Sequence, residues 1–477
     1  MTKDEYILYL EAQNAALKHL EVQNAALKHL EVQNIALKQR VKILEEKIET
    51  LLNILQGKVV KKDSHNSNNP PSHDKFKPKK NRSLRKKTGK KTGGQIGHKG
   101  QTLKQKDTPD KYIDLKSEYC NKCGSNLSEK NHYLLSKRQV VEIPPIKPIY
   151  IEYRQHVCKC LCGHEQKADY PKNVNAPIQY GRSVIALICY LNVFQYVPYA
   201  RLKEMFTSVF GLPLSEGSIE NLLNKGARKS ISVYNAILEH IKSANYVGSD
   251  ETGAKVNGKK WWIWVWQNIE NTFITASNNR GFATVERIFP DGLKNATIGS
   301  DRWAAQLKIG SKNKQLCFPH LQRDLIFIEE TEKDLWASHF KNLLKKILEL
   351  RKVAVERNVA YQKDGREVFK LEQQLNRLLT RCINKQKFPK TFAFQKSMIK
   401  NRNYLFSCIY DLEVPPDNNA SERAIRNIKV KQKISGQFKS GQDTFCILRS
   451  VIDTFKKRNL NILEYLGRLN LGAYNHL

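Results

Sequence analysis

The sequence predicts a multidomain α+β protein, and three observations carry that reading. Leucines recur along one helical stripe within residues 1–57, the pattern of a long coiled-coil helix. Two cysteine clusters flank short β-like runs within residues 108–170, as in a zinc ribbon. From residue 244, three strand-like runs follow one another and then alternate with helical stretches, which is an α/β arrangement. At 477 residues the chain exceeds one ordinary domain and has apolar residues enough for several cores.

The N-terminal helix rests on an internal repeat, LEAQNAALKH, LEVQNAALKH and LEVQNIALKQ, over residues 10–39. Its period of ten is seven plus three, so Leu10, Leu17, Leu20, Leu27, Leu30 and Leu37 share one stripe. Val41, Leu44, Ile48, Leu51 and Leu55 then continue it in regular heptad spacing. Asn24 and Asn34 lie near the seam, where a polar residue fixes register. The expected use of this helix is self-association into a homo-oligomer.

Residues 58–107 are a basic linker. Between 58 and 106 there are sixteen Lys or Arg against two Asp, with almost no large apolar residues, so the segment cannot offset its own ordering entropy. Lys86, Lys87, Lys90 and Lys91 are its densest cluster and the candidate phosphate contacts. The formal net charge of +35 points the same way, to a nucleic-acid partner before a membrane. No apolar run is long enough to span a bilayer, the first residues lack a signal-peptide pattern, and the ten cysteines, five of them in two clusters, suit a reducing compartment where clustering points to metal. A cytoplasmic protein without a membrane partner is expected.

In the 108–170 domain, Cys120-x-x-Cys123-Gly faces Cys158-x-Cys160-x-Cys162-Gly, with the runs YLLSKRQVVEI and KPIYIEYRQHVCKC between. Four thiolates on two turns make a closed, tetrahedral structural zinc site. Cys120, Cys123, Cys160 and Cys162 are the candidate ligands; Cys158 competes on the second turn, and His156 and His164 lie close in sequence. Residues 171–243 read as a helical DNA-binding segment. RLKEMFTSVFG and the following SEGSIENLLNKGARKS, split by a Gly-Leu-Pro turn and capped by Ser215 or Ser218, resemble a helix-turn-helix.

The core spans 244–430, with a helical insertion at about 325–410, and a C-terminal helical region fills 431–477. Two strand-like runs end in Gly-Ser-Asp, at Asp250 and at Asp301, so each aspartate projects from a strand end. Paired carboxylates of this kind hold magnesium while leaving positions for phosphate oxygens and water. Near 417–426, Asn419 reads as an N-cap and Glu422 as the N3 partner of a capping box, a placement that also aims the Glu422 carboxylate. Cys317-Phe-Pro-His320 with Arg323 enters a helix beside these groups and is read as support for the site.

DETG at 250–253, SDRWAA at 300–305, CFPHLQRD at 317–324 and DNNASERAIR at 417–426 resemble the landmarks of the insertion-sequence-66 transposase family, a DDE-type group. GGQIGHKGQTL at 93–103 and SGQFKSGQDTFCILRSVIDT at 435–454 extend the likeness from about residue 85 to the C-terminus. Ile96 and Asn427 stand where the family commonly has Pro, and DRW replaces a frequent Asp-Gly; each departure touches local turns and spares the carboxylates. The resemblance implies a ribonuclease-H-like core with Asp250, Asp301 and Glu422 as catalytic and metal-binding carboxylates. It further implies two Mg2+ or Mn2+ ions, cleavage at transposon ends and strand transfer into target DNA, by a bacterial, nucleoid-associated enzyme. Arg423 and Arg426 are then candidate DNA contacts, with an i,i+4 ion pair to Glu422 as the plainer role for Arg426. The competing expectation is a non-catalytic, zinc-containing DNA-binding protein derived from such an enzyme.

Overall fold

A computed structural model describes residues 3–55, 62, 66, 67, 97, 99, 100 and 102–469. Lys86, Lys87, Lys90 and Lys91, with most of the basic linker, lie outside the described residues. The chain divides into two units, 1–78 with 237–429 and 79–236 with 430–477.

Helix α1 (Lys3–Leu55) is continuous, as the leucine stripe predicts. Leu17, Leu20, Leu27, Leu30, Leu37, Val41, Leu44 and Ile48 are all exposed on it. The zinc-ribbon region contains only two short paired strands, β1 (Val157–Lys159) and β2 (Glu165–Lys167), antiparallel with Cys158 opposite Gln166. The strands expected within 131–156 do not form. Tyr133, Leu135, Val141, Ile143, Ile149 and Ile151 alternate in sequence as strand residues do, yet all are exposed. No neighbouring ladder among the described residues pairs with this segment, and an unpaired strand has no buried face to fix it.

A helical cluster follows: α2 (Arg182–Cys189), running into a π-helical turn at Tyr190–Phe194, then α3 (Tyr199–Phe210) and α4 (Glu216–Lys229). The expected helix-turn-helix pair is α3 and α4. Gly211 ends α3 at φ 63°, a left-handed position that a Cβ would strain, and Ser215 rather than Ser218 caps α4 by accepting the Ser218 N–H at 3.0 Å. Helix α5 (Ile231–Lys242) leads to the central sheet.

That sheet consists of β3 (Tyr246–Val256), β4 (Lys259–Gln267), β5 (Thr272–Ser277), β6 (Leu293–Ser300) and β7 (Ser311–Leu316), with α6 (Phe282–Ile288) before β6 and α7 (Ala304–Leu307) before β7. Its order is β5-β4-β3-β6-β7. The first three strands form an antiparallel meander, whereas β6 runs parallel to β3 and β7 parallel to β6. Asn257 and Gly258, both at positive φ, make the two-residue turn that sets the β3–β4 register. Trp264 and Trp266 lie on one face of β4, stacked at 5.5 Å and fully buried.

The predicted helical insertion is present, and it starts earlier than 325, because Pro319 opens α8 (Phe318–Glu332) directly after β7. It continues through α9 (Leu335–Arg357), α10 (Arg366–Thr380), α11 (Pro389–Lys400), a 3-10 turn at Arg402–Tyr404 and α12 (Ser407–Tyr410). Trp336, Phe340 and Phe394 form its aromatic centre with centroids 5.1–6.0 Å apart. The chain returns to the sheet in α13 (Asn419–Ser435). Helices α14 (Gln442–Lys457) and α15 (Ile462–Leu469) complete the described chain. Within their unit they pack on α2 and α4 around a buried Arg449–Asp453 ion pair at 2.6 Å. No helix among the described residues is long and apolar enough to cross a membrane.

Candidate active site

The two Gly-Ser-Asp runs lie side by side. Gly248 of β3 and Gly299 of β6 are register partners in the parallel pair, so Asp250 and Asp301 follow at the same level. Asp301 comes directly after β6, as expected. Asp250 does not end its strand: β3 continues to Val256 along β4, and Asp250 sits where β3 runs past the end of β6. Both glycines are required by close approach. A Cβ on Gly299 would lie 2.3 Å from the Tyr246 hydroxyl, and one on Gly248 would lie 2.8 Å from Ser421 Oγ and 3.0 Å from Asn418 Oδ1, at the start of α13.

That start differs from the expected capping box. Helix α13 already includes Asn419, whose N–H is accepted by Asp417 Oδ1 at 3.0 Å, and the Glu422 N–H bonds the Asn418 carbonyl at 3.1 Å. Asn418 therefore precedes the helix, and Glu422 is one position further in than N3. The Asn418 side chain does not cap; its Nδ2 donates to the Ser249 carbonyl at 2.7 Å, and its backbone N–H donates to Cys317 Sγ at 3.3 Å. With its own N–H directed to sulfur, Asn418 offers Glu422 nothing to reach back to. The Glu422 carboxylate is mostly buried, its charge is felt at Asp250, and its Oε1 is left without a hydrogen-bond partner.

The acids sense one another. Burial first, then the negative charges of Asp301, Glu251 and Glu422, push the Asp250 carboxyl well above the usual range, against a 2.8 Å bond from the Glu251 N–H to its Oδ1. Burial raises Asp301 too, opposed by the Trp303 N–H bonded to its Oδ1 at 2.8 Å and by Arg280 and Arg302. Glu251, which sequence reasoning missed, is pushed up to about 6 by burial and by Asp301. Both of its oxygens are engaged: Arg280 donates to Oε1 at 2.8 and 3.0 Å, and Gln306 to Oε2 at 2.7 Å. Arg280 lies between the Trp262 and Trp303 rings, 4.5 and 3.7 Å from their centroids. The acid next to Asp250 in DETG was the only signal for Glu251, and nothing near it in sequence indicated Arg280.

Cys317, His320 and Glu422 come together as the one group of three metal-capable side chains within 4.8 Å among the described residues. His320 Nδ1 is 3.1 Å from Cys317 Sγ and Nε2 is 3.9 Å from Glu422 Oε1. Burial, then the nearby Arg323 charge, lowers His320 to about 4, so its ring is neutral near pH 7; burial raises the Cys317 thiol to about 12. Arg302 pairs with Asp324 and stacks on Phe394 at 4.8 Å. Arg423 is exposed, and Arg426 makes the anticipated i,i+4 approach to Glu422 Oε2 at 3.8 Å.

Each cysteine cluster forms a tight turn closed by a left-handed glycine, Gly124 at φ 72° and Gly163 at φ 87°, whose N–H bonds the carbonyl of Cys120 or Cys160 at 2.8 Å. Cys123 Sγ lies 3.1 Å from Ser125 Oγ, while Cys158 turns to the Lys159 carbonyl. The bond from Ser125 draws the Cys123 thiol down to about 7. The two pairs are not drawn into one four-thiolate cluster.

A five-stranded mixed sheet of order β5-β4-β3-β6-β7, with one acid on β3, one directly after the adjacent β6 and a third on the helix that returns to the sheet, is consistent with the ribonuclease-H-like core of DDE enzymes. The model of the IS66 transposase family matches residues 177–444, more than half of the chain, and the chain belongs to that family. It is thus a DDE transposase, a DNA-binding enzyme of DNA cleavage and strand transfer, and the family implies divalent metals. Residues 11–104 match a family of unknown function, DUF6444. No curated protein matches the chain.

Proposed function

We propose that Asp250, Asp301 and Glu422 are the catalytic carboxylates and hold two Mg2+ or Mn2+ ions for hydrolysis at transposon ends and transfer to target DNA. The observation that carries this is the parallel register of Gly248 with Gly299, which sets the two aspartates together beneath α13. The donor set fits the ions: hard carboxylate oxygens, a buried Glu422 Oε1 with no partner, and an Asp250 carboxyl whose surroundings oppose its negative charge. Each aspartate uses one oxygen to accept a neighbouring backbone N–H, which fixes its plane and leaves the other for a ligand. When bound, the ions polarise the attacking oxygen and neutralise the leaving one. Glu251 is not a ligand in this scheme; it anchors Arg280 beside Asp301.

Cys120, Cys123, Cys160 and Cys162 would hold a structural zinc ion once the two pairs are drawn together, a reading supported by the two glycine-closed turns. Lys86, Lys87, Lys90, Lys91, Arg423 and Arg426 would contact DNA phosphates, and the exposed α1 stripe would join subunits. Cys317, His320 and Arg323 support the site from α8.

The test is cleavage of transposon-end DNA by the full-length protein with Mg2+, comparing wild type with Asp250→Asn and Glu422→Gln. Loss of cleavage with retained DNA binding is expected in both. Unchanged nicking in both variants would remove the assignment, and wild-type binding without cleavage would favour a non-catalytic DNA-binding role.

A further inference from the structure

The contacts around Cys317 join every strand and helix that carries a catalytic acid. Its backbone N–H donates to the Ser300 carbonyl at 2.9 Å, one residue before Asp301. Its Sγ accepts the Asn418 N–H, and the Asn418 side chain in turn holds the Ser249 carbonyl, one residue before Asp250. The Phe318 N–H donates to the Pro416 carbonyl at 2.9 Å, tying the start of α8 to the segment that leads into α13. These bonds form a closed chain from β3 through α13 to the end of β7 and on to β6.

Sulfur directs the last link. Cys317 Sγ already accepts from Asn418, and the acceptor within reach of its S–H is His320 Nδ1, at 3.1 Å. A neutral imidazole that accepts at Nδ1 carries its proton on Nε2. That N–H faces Glu422 Oε1 at 3.9 Å, an approach longer than a hydrogen bond, toward an oxygen that has no other partner. In that tautomer the imidazole is a donor aimed at the one acid that comes from the far side of the helical insertion.

We propose that Cys317, Asn418 and His320 are positioning residues of the carboxylate site, Cys317 and Asn418 clamping its three elements together and His320 Nε2–H orienting the Glu422 carboxylate toward the divalent ions. The inference rests on the assignment of Asp250, Asp301 and Glu422 as metal ligands. Outer partners of this sort commonly alter metal affinity or activity by about 10–100-fold.

The experiment measures Mn2+ binding to the full-length protein by calorimetry and by electron paramagnetic resonance, alongside thermal melting. His320→Ala should weaken Mn2+ binding by about 10-fold, with an unchanged melt and unchanged affinity for end DNA. His320→Gln, whose amide keeps an N–H donor, should regain part of the loss, and Cys317→Ser, which keeps a donor and an acceptor, should fall between wild type and Cys317→Ala. Mn2+ affinity equal to wild type in His320→Ala, or equal losses in the Ala and Gln variants, would overturn the proposal. Asp250→Asn separates the two layers. If it abolishes binding while His320→Ala binds as wild type, only the positioning role fails; if it too binds as wild type, the ligand assignment fails with it.

Discussion

Gly248→Ala tests whether the sheet and α13 are held together as closely as the site requires. The added Cβ would stand 2.5 Å from Gln267 Nε2, 2.8 Å from Ser421 Oγ and 3.0 Å from Asn418 Oδ1. Gln267 ends in a long side chain and can withdraw. Ser421 is short and fully buried, and Asn418 is held by its bond to Ser249, so restoring an ordinary contact of 3.4 Å moves the first turn of α13 by 3.4 minus 2.8, about 0.6 Å. Overpacking of this kind costs about 1–3 kcal/mol. Because Glu422 rides on the displaced turn, and a 1 Å misplacement costs roughly 100-fold in rate, about a 10-fold loss of cleavage is expected. The assay is single-turnover cleavage of end DNA at saturating Mg2+, with thermal melting and DNA affinity measured in parallel. Ser421→Ala in the same chain removes the nearer of these two oxygens and should restore part of the rate. A variant that cleaves and melts like wild type, or that loses only DNA affinity, would refute the reasoning.

Tyr246→Phe removes a buried hydroxyl that has no hydrogen-bond partner, so stability should be unchanged or higher by up to about 1 kcal/mol, read from the melting midpoint. The folded-state pKa values of Asp250, Asp301 and Glu251 are raised, so the native state binds more protons than the unfolded one and the acid cluster lowers stability as pH rises. For Glu251 that loss falls between 4.5 and about 6. Metal-free wild type should therefore lose more of its melting temperature between about pH 5 and 7 than Asp250→Asn does, and saturating Mn2+ should raise it more at the higher pH; identical pH profiles for the two proteins would contradict this. Metal analysis should find zinc lost in Cys123→Ser and Cys160→Ser and retained in Cys158→Ser, since Cys158 lies on a strand and turns to the Lys159 carbonyl.

The parts of the fold that follow periodic patterns were legible in advance. Leucine spacing foretold α1, and the apolar runs after residue 244 foretold the strands of the sheet, while the Asn257-Gly258 turn between β3 and β4 was a local signal left unread. The aspartates were legible because each follows an apolar strand and a Gly-Ser pair, while the reason for those glycines lay in long-range contacts with Tyr246 and Ser421 that no local pattern encodes. The run at 131–156 reads as strand because alternation reports a preference for pleated backbone and cannot supply a partner. The capping box failed for a related reason. Asn418 and Asn419 are equivalent by local chemistry, and a sulfur 101 residues away in sequence decides which of them carries the hydrogen bonds. Glu251 and Arg280, 29 residues apart, were invisible because their pairing exists only once β3 and the chain after β5 are in place.

The route of the chain from Asp301 to Glu422 has a consequence for synthesis. All five strands of the central sheet are complete at Leu316, yet Glu422 is reached only after α8 to α12, the helices built around Trp336 and Phe340, have been made. A contact between residues so far apart in sequence is among the slower ones to form. A nascent or half-folded copy can thus own a finished sheet with two acids and still lack the third. On the proposed assignment of Asp250, Asp301 and Glu422, the excursion withholds the third carboxylate until the insertion has been made, and the sheet alone would lack the complete set.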